Sequence, residues 1–166
     1  WQVLHLTGDA DYQEVREAYE STATSGVVLA YTHDMADALR AADLVVSRAG
    51  ASTLAELTAM GRPSILLPYP FHRDMHQLAN ACVLADGGAA IVLKDRIDAA
   101  RNAPVLKEAL ASLLGDEARR RKMANAARRL GRTNAAAVVV DHVFELVRQV
   151  AVNEPECVKA QCASTR

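Results

Sequence analysis

The chain has 166 residues, 51% of them apolar and 23% charged, with a formal net charge of −1, the make-up of one ordinary globular domain. That composition excludes collagen-like, low-complexity and disulfide-scaffold classes. No run reaches the ~18–20 uncharged apolar residues that span a bilayer, and the first residues lack the pattern of a signal peptide, which predicts a soluble, intracellular protein. Only seven residues are aromatic, whereas 32 are alanine. A core of small aliphatic side chains suits close packing of helices on a sheet better than a β-sandwich.

In chain order, short β-branched or apolar runs alternate with longer amphipathic runs, the pattern of consecutive βα units around a parallel sheet. The chain opens directly in a strand, WQVLHLTG, as a piece of a longer protein would. Strands are predicted at 2–7, 26–31, 43–47, 63–67 and 89–93. Helices are predicted between them at 11–22, 34–42, 52–61 and 74–86, with Asp34 and Asp74 as N-caps and Gly61 and Gly87 as C-terminal stops. LVVS and SILLP are apolar at consecutive positions, as a sheet covered on both faces requires. After residue 104 the strand signals cease. Helices are predicted at 104–114, 116–131 and 134–150, and the last residues, NEPECVKAQCASTR, lack periodicity and read as a flexible tail. The domain organisation predicted is therefore a Rossmann-like domain over 1–150, cut short at its N-terminus, and a tail over 151–166.

Charge is unevenly distributed. Residues 1–100 carry 7 basic and 13 acidic side chains, and residues 101–166 carry 12 basic and 7 acidic. The basic excess, including Arg119 to Lys122, Arg128, Arg129 and Arg132, lies in an Ala-rich helical pattern without interleaved aromatics, which reads as a solvated helix face rather than a nucleic-acid surface. Cys82, Cys157 and Cys162 have no metal-ligand spacing, and an odd count without a secretory signal predicts reduced thiols and no metal.

Ligands of an open α/β sheet bind beyond the carboxyl ends of the strands, so the strand-to-helix junctions carry the functional information. In SRAGASTLAEL, residues 47–57, a strand ends at Ser47, Gly50 allows a tight turn and a helix begins near Ser52 and Thr53. Small side chains at 49–52 let a ligand approach the backbone, and the free N–H groups of the helix end favour a phosphate or diphosphate. Glu56, one turn in, has two readings. It can accept hydrogen bonds from a ribose diol, or it can close a Thr53-to-Glu56 capping box.

In LLPYPFHRDMHQLANA, residues 66–81, Pro68 and Pro70 stiffen the strand exit, and His72, Arg73, Asp74, His76 and Gln77 crowd polar groups at the next helix, as recognition of a sugar's hydroxyls requires. The same residues read one at a time as a cap and as solvated first-turn positions. In AYTHDMADAL, residues 30–39, Thr32 and its backbone can frame a planar base, or the segment is an ordinary capped helix with Met35 in the core. No G-x-S-x-G, H-E-x-x-H, P-loop or G-x-G-x-x-G motif occurs, so no hydrolase, metalloprotease or NTPase reading has an anchor. A nucleotide or sugar-nucleotide binder remains.

Residues 42–93, ADLVVSRAGASTLAELTAMGRPSILLPYPFHRDMHQLANACVLADGGAAIVL, closely resemble the donor-binding half of the MurG family, with weaker similarity from residue 1 to about 150. These are inverting transferases that move N-acetylglucosamine from UDP-N-acetylglucosamine to lipid I, forming lipid II in peptidoglycan synthesis. The resemblance implies the C-terminal, Rossmann-like half of a two-domain GT-B glycosyltransferase, a hexosyltransferase working as a peripheral protein at the cytoplasmic face of the inner membrane. It also implies site residues by position. Glu56 matches a ribose-binding glutamate, Ala51, Ser52 and Thr53 the loop that meets the diphosphate, Thr32 the backbone that reads uracil, and His76 and Gln77 a pair on the sugar hydroxyls. Ser52 departs from the Leu of some relatives, and His76 from the Gln. The family implies no cofactor and no obligatory metal, and places the catalytic base and the lipid acceptor in the N-terminal domain, so that this chain alone is predicted inactive. Two alternatives stay open: a stand-alone UDP-sugar-binding subunit of a two-chain transferase, and a related lipid glycosyltransferase.

Overall fold

A computed structural model describes residues 1–22, 25–71 and 75–152, the side chains of 150–152 excepted. Five strands and seven helices alternate as β1 (Val3–Leu6), α1 (Tyr12–Ser21), β2 (Gly26–Leu29), α2 (Met35–Ala41), β3 (Val45–Ser47), α3 (Ala51–Met60), β4 (Ser64–Leu66), α4 (His76–Asp86), β5 (Ala90–Val92), α5 (Ala99–Leu114), α6 (Glu117–Leu130) and α7 (Ala135–Val152). Every predicted element is present. All strand pairing is parallel, as the βα alternation requires.

The pairing differs from a single five-stranded sheet. β1 pairs with β2, while β3, β4 and β5 form a separate sheet in that order. The alternation of apolar and amphipathic runs announces strands but not their partners, and here β1 and β2 form only a thin ribbon with Val3, Leu4 and Val27 exposed.

The three-stranded sheet carries the core. β4 is buried throughout, and its side chains alternate between two apolar clusters. Leu66 packs with Leu54 and Leu57 of α3, Ala81 and Leu84 of α4, and Ala126 and Ala127 of α6. Ile65 packs on the other side with Ala109 and Leu113 of α5 and Met123 of α6. Helices therefore cover this sheet on both faces, and α6 contributes to both layers.

Local chemistry explains most boundaries. Gly61 ends α3 in the left-handed region at φ 61°, with Arg62 N donating to Leu57 O at 2.8 Å. α5 begins at Ala99, earlier than the predicted start at 104, because Asp98 caps it by accepting from Arg101 N. Asp34 holds the N-cap position of α2, but its side chain makes no cap bond; instead Asp34 N donates to Thr32 Oγ1 at 3.1 Å. The expected cap Asp74, with His72 and Arg73, lies outside the described residues, and the N-cap position of α4 falls on Met75. Cys157 and Cys162 also lie outside them, and Cys82 is an exposed free thiol.

The chain divides into two compact units, Trp1–Gly131 and Arg132–Arg166. The second contains α7, which exposes Val139, Val143, Phe144 and Val147. Among the described residues no helix is long and apolar enough to cross a membrane.

The two faces of β4 set the stability of the first unit. Leu66→Ala is expected to cost about 2–5 kcal/mol in urea denaturation, the cost of a cavity in a fully packed layer. Val46→Ala in neighbouring β3, at a side chain 43% exposed, is expected to cost less than about 1 kcal/mol.

Candidate functional site

In the parallel register Ser47, Leu66 and Val92 stand opposite one another at the carboxyl ends of β3, β4 and β5. The segments that follow, 48–50, 67–71 and 93–98, therefore emerge along one edge of the sheet, and this edge gathers two of the three junctions singled out from sequence. The third, with half-buried Thr32, follows β2 in the other sheet and starts α2, which packs on the same core through Leu39 and Met35. Met35 is thus a core residue.

At the first connection α3 begins at Ala51, with Gly50 as N-cap and no side chain capping it. Its first helical bond runs from Leu54 N to Gly50 O at 3.0 Å, so the amides of Ala51, Ser52 and Thr53 end the helix without a capping side chain. Ala51 and Ser52 are exposed and Thr53 half-buried. The aligned peptide dipoles make this end favourable for an anion.

Two expectations change here. Gly50 has φ −66° and ψ 143°, a conformation any residue adopts, and a Cβ built on it meets nothing nearer than Thr53 Oγ1 at 3.8 Å. No turn demands glycine there; its smallness leaves open space above the helix end. The capping box also fails, because Thr53 is the third helical residue and not the N-cap, so Glu56 lies too far along α3 to bond back to the N-cap amide. Glu56 is exposed and makes no hydrogen bond or ion pair with any described residue.

At the second connection Gln77, the second residue of α4, accepts a hydrogen bond from Tyr69 N on its Oε1 at 2.9 Å. This leaves its amide N–H groups as donors. His76 is exposed beside it. Met75 holds φ 50°, an uncommon backbone for a residue with a side chain, at the N-cap of α4.

The sequence reading missed the polar cluster that joins these connections. Arg48, directly after β3, ion-pairs with Asp95 in the connection after β5, donates to Leu67 O at 3.1 Å, and lies 5.7 Å from the centre of the Tyr69 ring. Asp95 is buried. Its other oxygen accepts from Ile97 N at 2.8 Å and Asn102 Nδ2 at 2.6 Å. The only advance signals were an arginine at a strand end and an Asp three residues before a second Asp that caps a helix; neither forms a recognisable motif.

These bonds hold the Asp95 carboxyl at about 2, below its ordinary 3.8, the amide of Ile97 contributing most, then Arg48 and Asn102, against the opposing effect of burial. Among the described residues no group of three or more His, Cys, Asp or Glu side chains could hold a metal ion.

Comparison with known proteins identifies the family and the fold. The sequence profile described as the glycosyltransferase family 28 C-terminal domain matches residues 1–143. The chain belongs to that family. It is 44% identical over 148 residues to a UDP-N-acetylglucosamine--N-acetylmuramyl-(pentapeptide) pyrophosphoryl-undecaprenol N-acetylglucosamine transferase of Nitratidesulfovibrio vulgaris, covering 89% of this chain and 40% of the relative. A protein of the same name from Geobacter metallireducens is 41% identical over equal coverage. The crystal structure of Acinetobacter baumannii MurG superposes with a TM-score of 0.77 at 32% identity, over 87% of this chain and 41% of that one. A spinosyn rhamnosyltransferase, SpnG, reaches 0.54 at 20% identity, which shows a shared fold alone. The fold is thus Rossmann-like α/β, and the chain spans about 40% of the length of these curated relatives.

Because folded Asp95 gives up its proton more readily than the unfolded chain does, its stabilising effect is complete above about pH 4 and fades as the pH falls towards 2. Urea denaturation across that interval is expected to show stability falling with pH, with a shallower fall in Asp95→Asn.

Proposed function

We propose that this chain is the domain that binds UDP-N-acetylglucosamine in a MurG-type hexosyltransferase, the enzyme that passes N-acetylglucosamine to lipid I to form lipid II in peptidoglycan synthesis. The observation that carries the reading is the placement of Glu56 relative to the uncapped start of α3. Glu56 is the sixth helical residue, so it lies ~7–8 Å along the axis from Ala51 at 1.5 Å per residue. Helical side chains lean towards the N-terminus, which brings the carboxylate back towards that end. A nucleoside diphosphate needs this pair of groups: amide donors for the diphosphate, and an acceptor for the ribose diol a few ångströms away.

In this reading Ala51, Ser52 and Thr53 meet the diphosphate, the backbone at Thr32 reads uracil, and His76 and Gln77 meet the sugar. The acceptor hydroxyl attacks the anomeric carbon with inversion while UDP departs. The negative charge that develops on the leaving diphosphate is then stabilised by donors fixed before the reaction begins. No side chain here is assigned as the base; the acceptor and the membrane surface belong to the remainder of the two-domain transferase, acting at the cytoplasmic face of the inner membrane. The names of the curated relatives support this choice of donor and acceptor.

Titration of the chain with UDP and UDP-N-acetylglucosamine, followed calorimetrically, tests the reading. Glu56→Ala is expected to weaken both ligands by about 1.5–3 kcal/mol, at least about tenfold in Kd. Since Glu56 closes no cap, the same change is expected to move stability by less than about 0.5 kcal/mol. Failure of the unsubstituted chain to bind either ligand would refute the proposal.

Gly50→Ala probes the open space directly. It is expected to weaken UDP binding while changing stability by less than about 1 kcal/mol, because its backbone and surroundings accept a methyl group.

A further inference from the structure

Asp95 is a buried carboxylate at the edge where the donor is proposed to bind, yet its side chain is only 5% exposed and cannot itself meet a ligand. Both of its oxygens are committed, one to Arg48 and the other to Ile97 N and Asn102 Nδ2. Burying a carboxylate against a cation that is itself half-exposed is a poor way to stabilise a fold, and an apolar side chain of similar volume would serve packing better. What the arrangement does provide is orientation.

Asp95 holds Ile97 at φ 55°, a strained backbone for a β-branched residue, and Asn102 Oδ1 closes the same connection by accepting from Arg96 N at 3.0 Å. The connection after β5 thereby becomes a fixed post. Arg48 is braced on that post, and its guanidinium reaches over to Leu67 O and to the ring of Tyr69 in the connection after β4. Tyr69 N in turn donates to Gln77 Oε1. One continuous path therefore runs from Asp95 through Arg48 and Tyr69 to Gln77. The start of α3 is set differently, by the buried Leu54 and Leu57 and by the ladder bond from Leu67 N to Ser47 O at 2.9 Å.

We propose that Asp95 is a positioning residue: acting through Arg48, it holds Leu67 and Tyr69, and through Tyr69 also Gln77, in the form that meets the sugar of the donor. The assignment rests on the donor-binding reading above and adds to it a division of the site. The nucleotide half stands on the packing of α3, and the sugar half stands on the Asp95–Arg48 pair.

Asp95→Asn keeps an acceptor for Ile97 N and removes the charge that braces Arg48. Titration of that variant with UDP and with UDP-N-acetylglucosamine, at a temperature where circular dichroism shows it fully folded, separates the two halves. UDP affinity is expected to stay within about twofold, while UDP-N-acetylglucosamine weakens by about tenfold. In a Gln77→Ala background, where the end of the path is already cut, Asp95→Asn is expected to add little further loss. A merely structural defect would instead reduce both ligands in the same proportion. Equal loss for both ligands, no loss for either, or full additivity with Gln77→Ala overturns the assignment while leaving the donor reading intact. If the unsubstituted chain binds neither ligand, the donor reading fails and this assignment fails with it.

Discussion

The burial of β4 on both faces is the constraint on which the rest of the molecule depends. A strand of three residues, Ser64–Leu66, can serve two apolar layers because its side chains alternate, and both layers are closed by helices that the chain supplies in sequence order. Parallel pairing with β3 and β5 then forces each connection to cross back over the sheet, so every following helix returns to begin at the same edge. The functional edge is a consequence of this winding. Its position is fixed by the core and its chemistry by the few residues between each strand and helix.

Those residues fall into two physical groups. Glu56, Ser52 and the first amides of α3 have no capping or bonding partner among the described side chains, and they cost the fold little because water can satisfy them. Arg48, Asp95, Asn102 and the Oε1 of Gln77 are instead spent on one another. Open groups can recognise a ligand, and committed groups limit the movement of the loops that carry them. A site built from both loses less freedom on binding than one built from open groups alone.

The sequence made the first group legible and concealed the second. Helix ends, small residues and the spacing of Glu56 are local, and SRAGASTLAEL shows them within eleven residues. Its ambiguity is also local: whether Glu56 caps the helix turns on where α3 begins, and an N-cap at Gly50 rather than Thr53 decides it. Arg48 and Asp95 are 47 positions apart and meet only because β3, β4 and β5 lie side by side in register. No periodicity or spacing rule links them. The same limit explains the sheets, since βα alternation is written in short windows, whereas the separation of β1 and β2 from β3, β4 and β5 is a matter of long-range pairing.

Charge raises the last question, because the half of the chain that carries this edge bears 13 acidic side chains against 7 basic ones while the proposed donor is an anion. Range resolves it. Exposed carboxylates more than about 8–10 Å apart in physiological salt are largely screened, so their sum has little bearing on one binding site. The uncapped amides of α3 act at hydrogen-bond distance, where screening is weak. Of the acids described at this edge, Asp95 is paired with Arg48, Asp98 is paired with Arg101, and Glu56 stands five residues along α3 from its first amide. A dispersed negative field of this kind leaves the local anion site intact. It also puts the one free carboxylate of α3 where hydroxyl donors, rather than phosphate oxygens, would have to meet it.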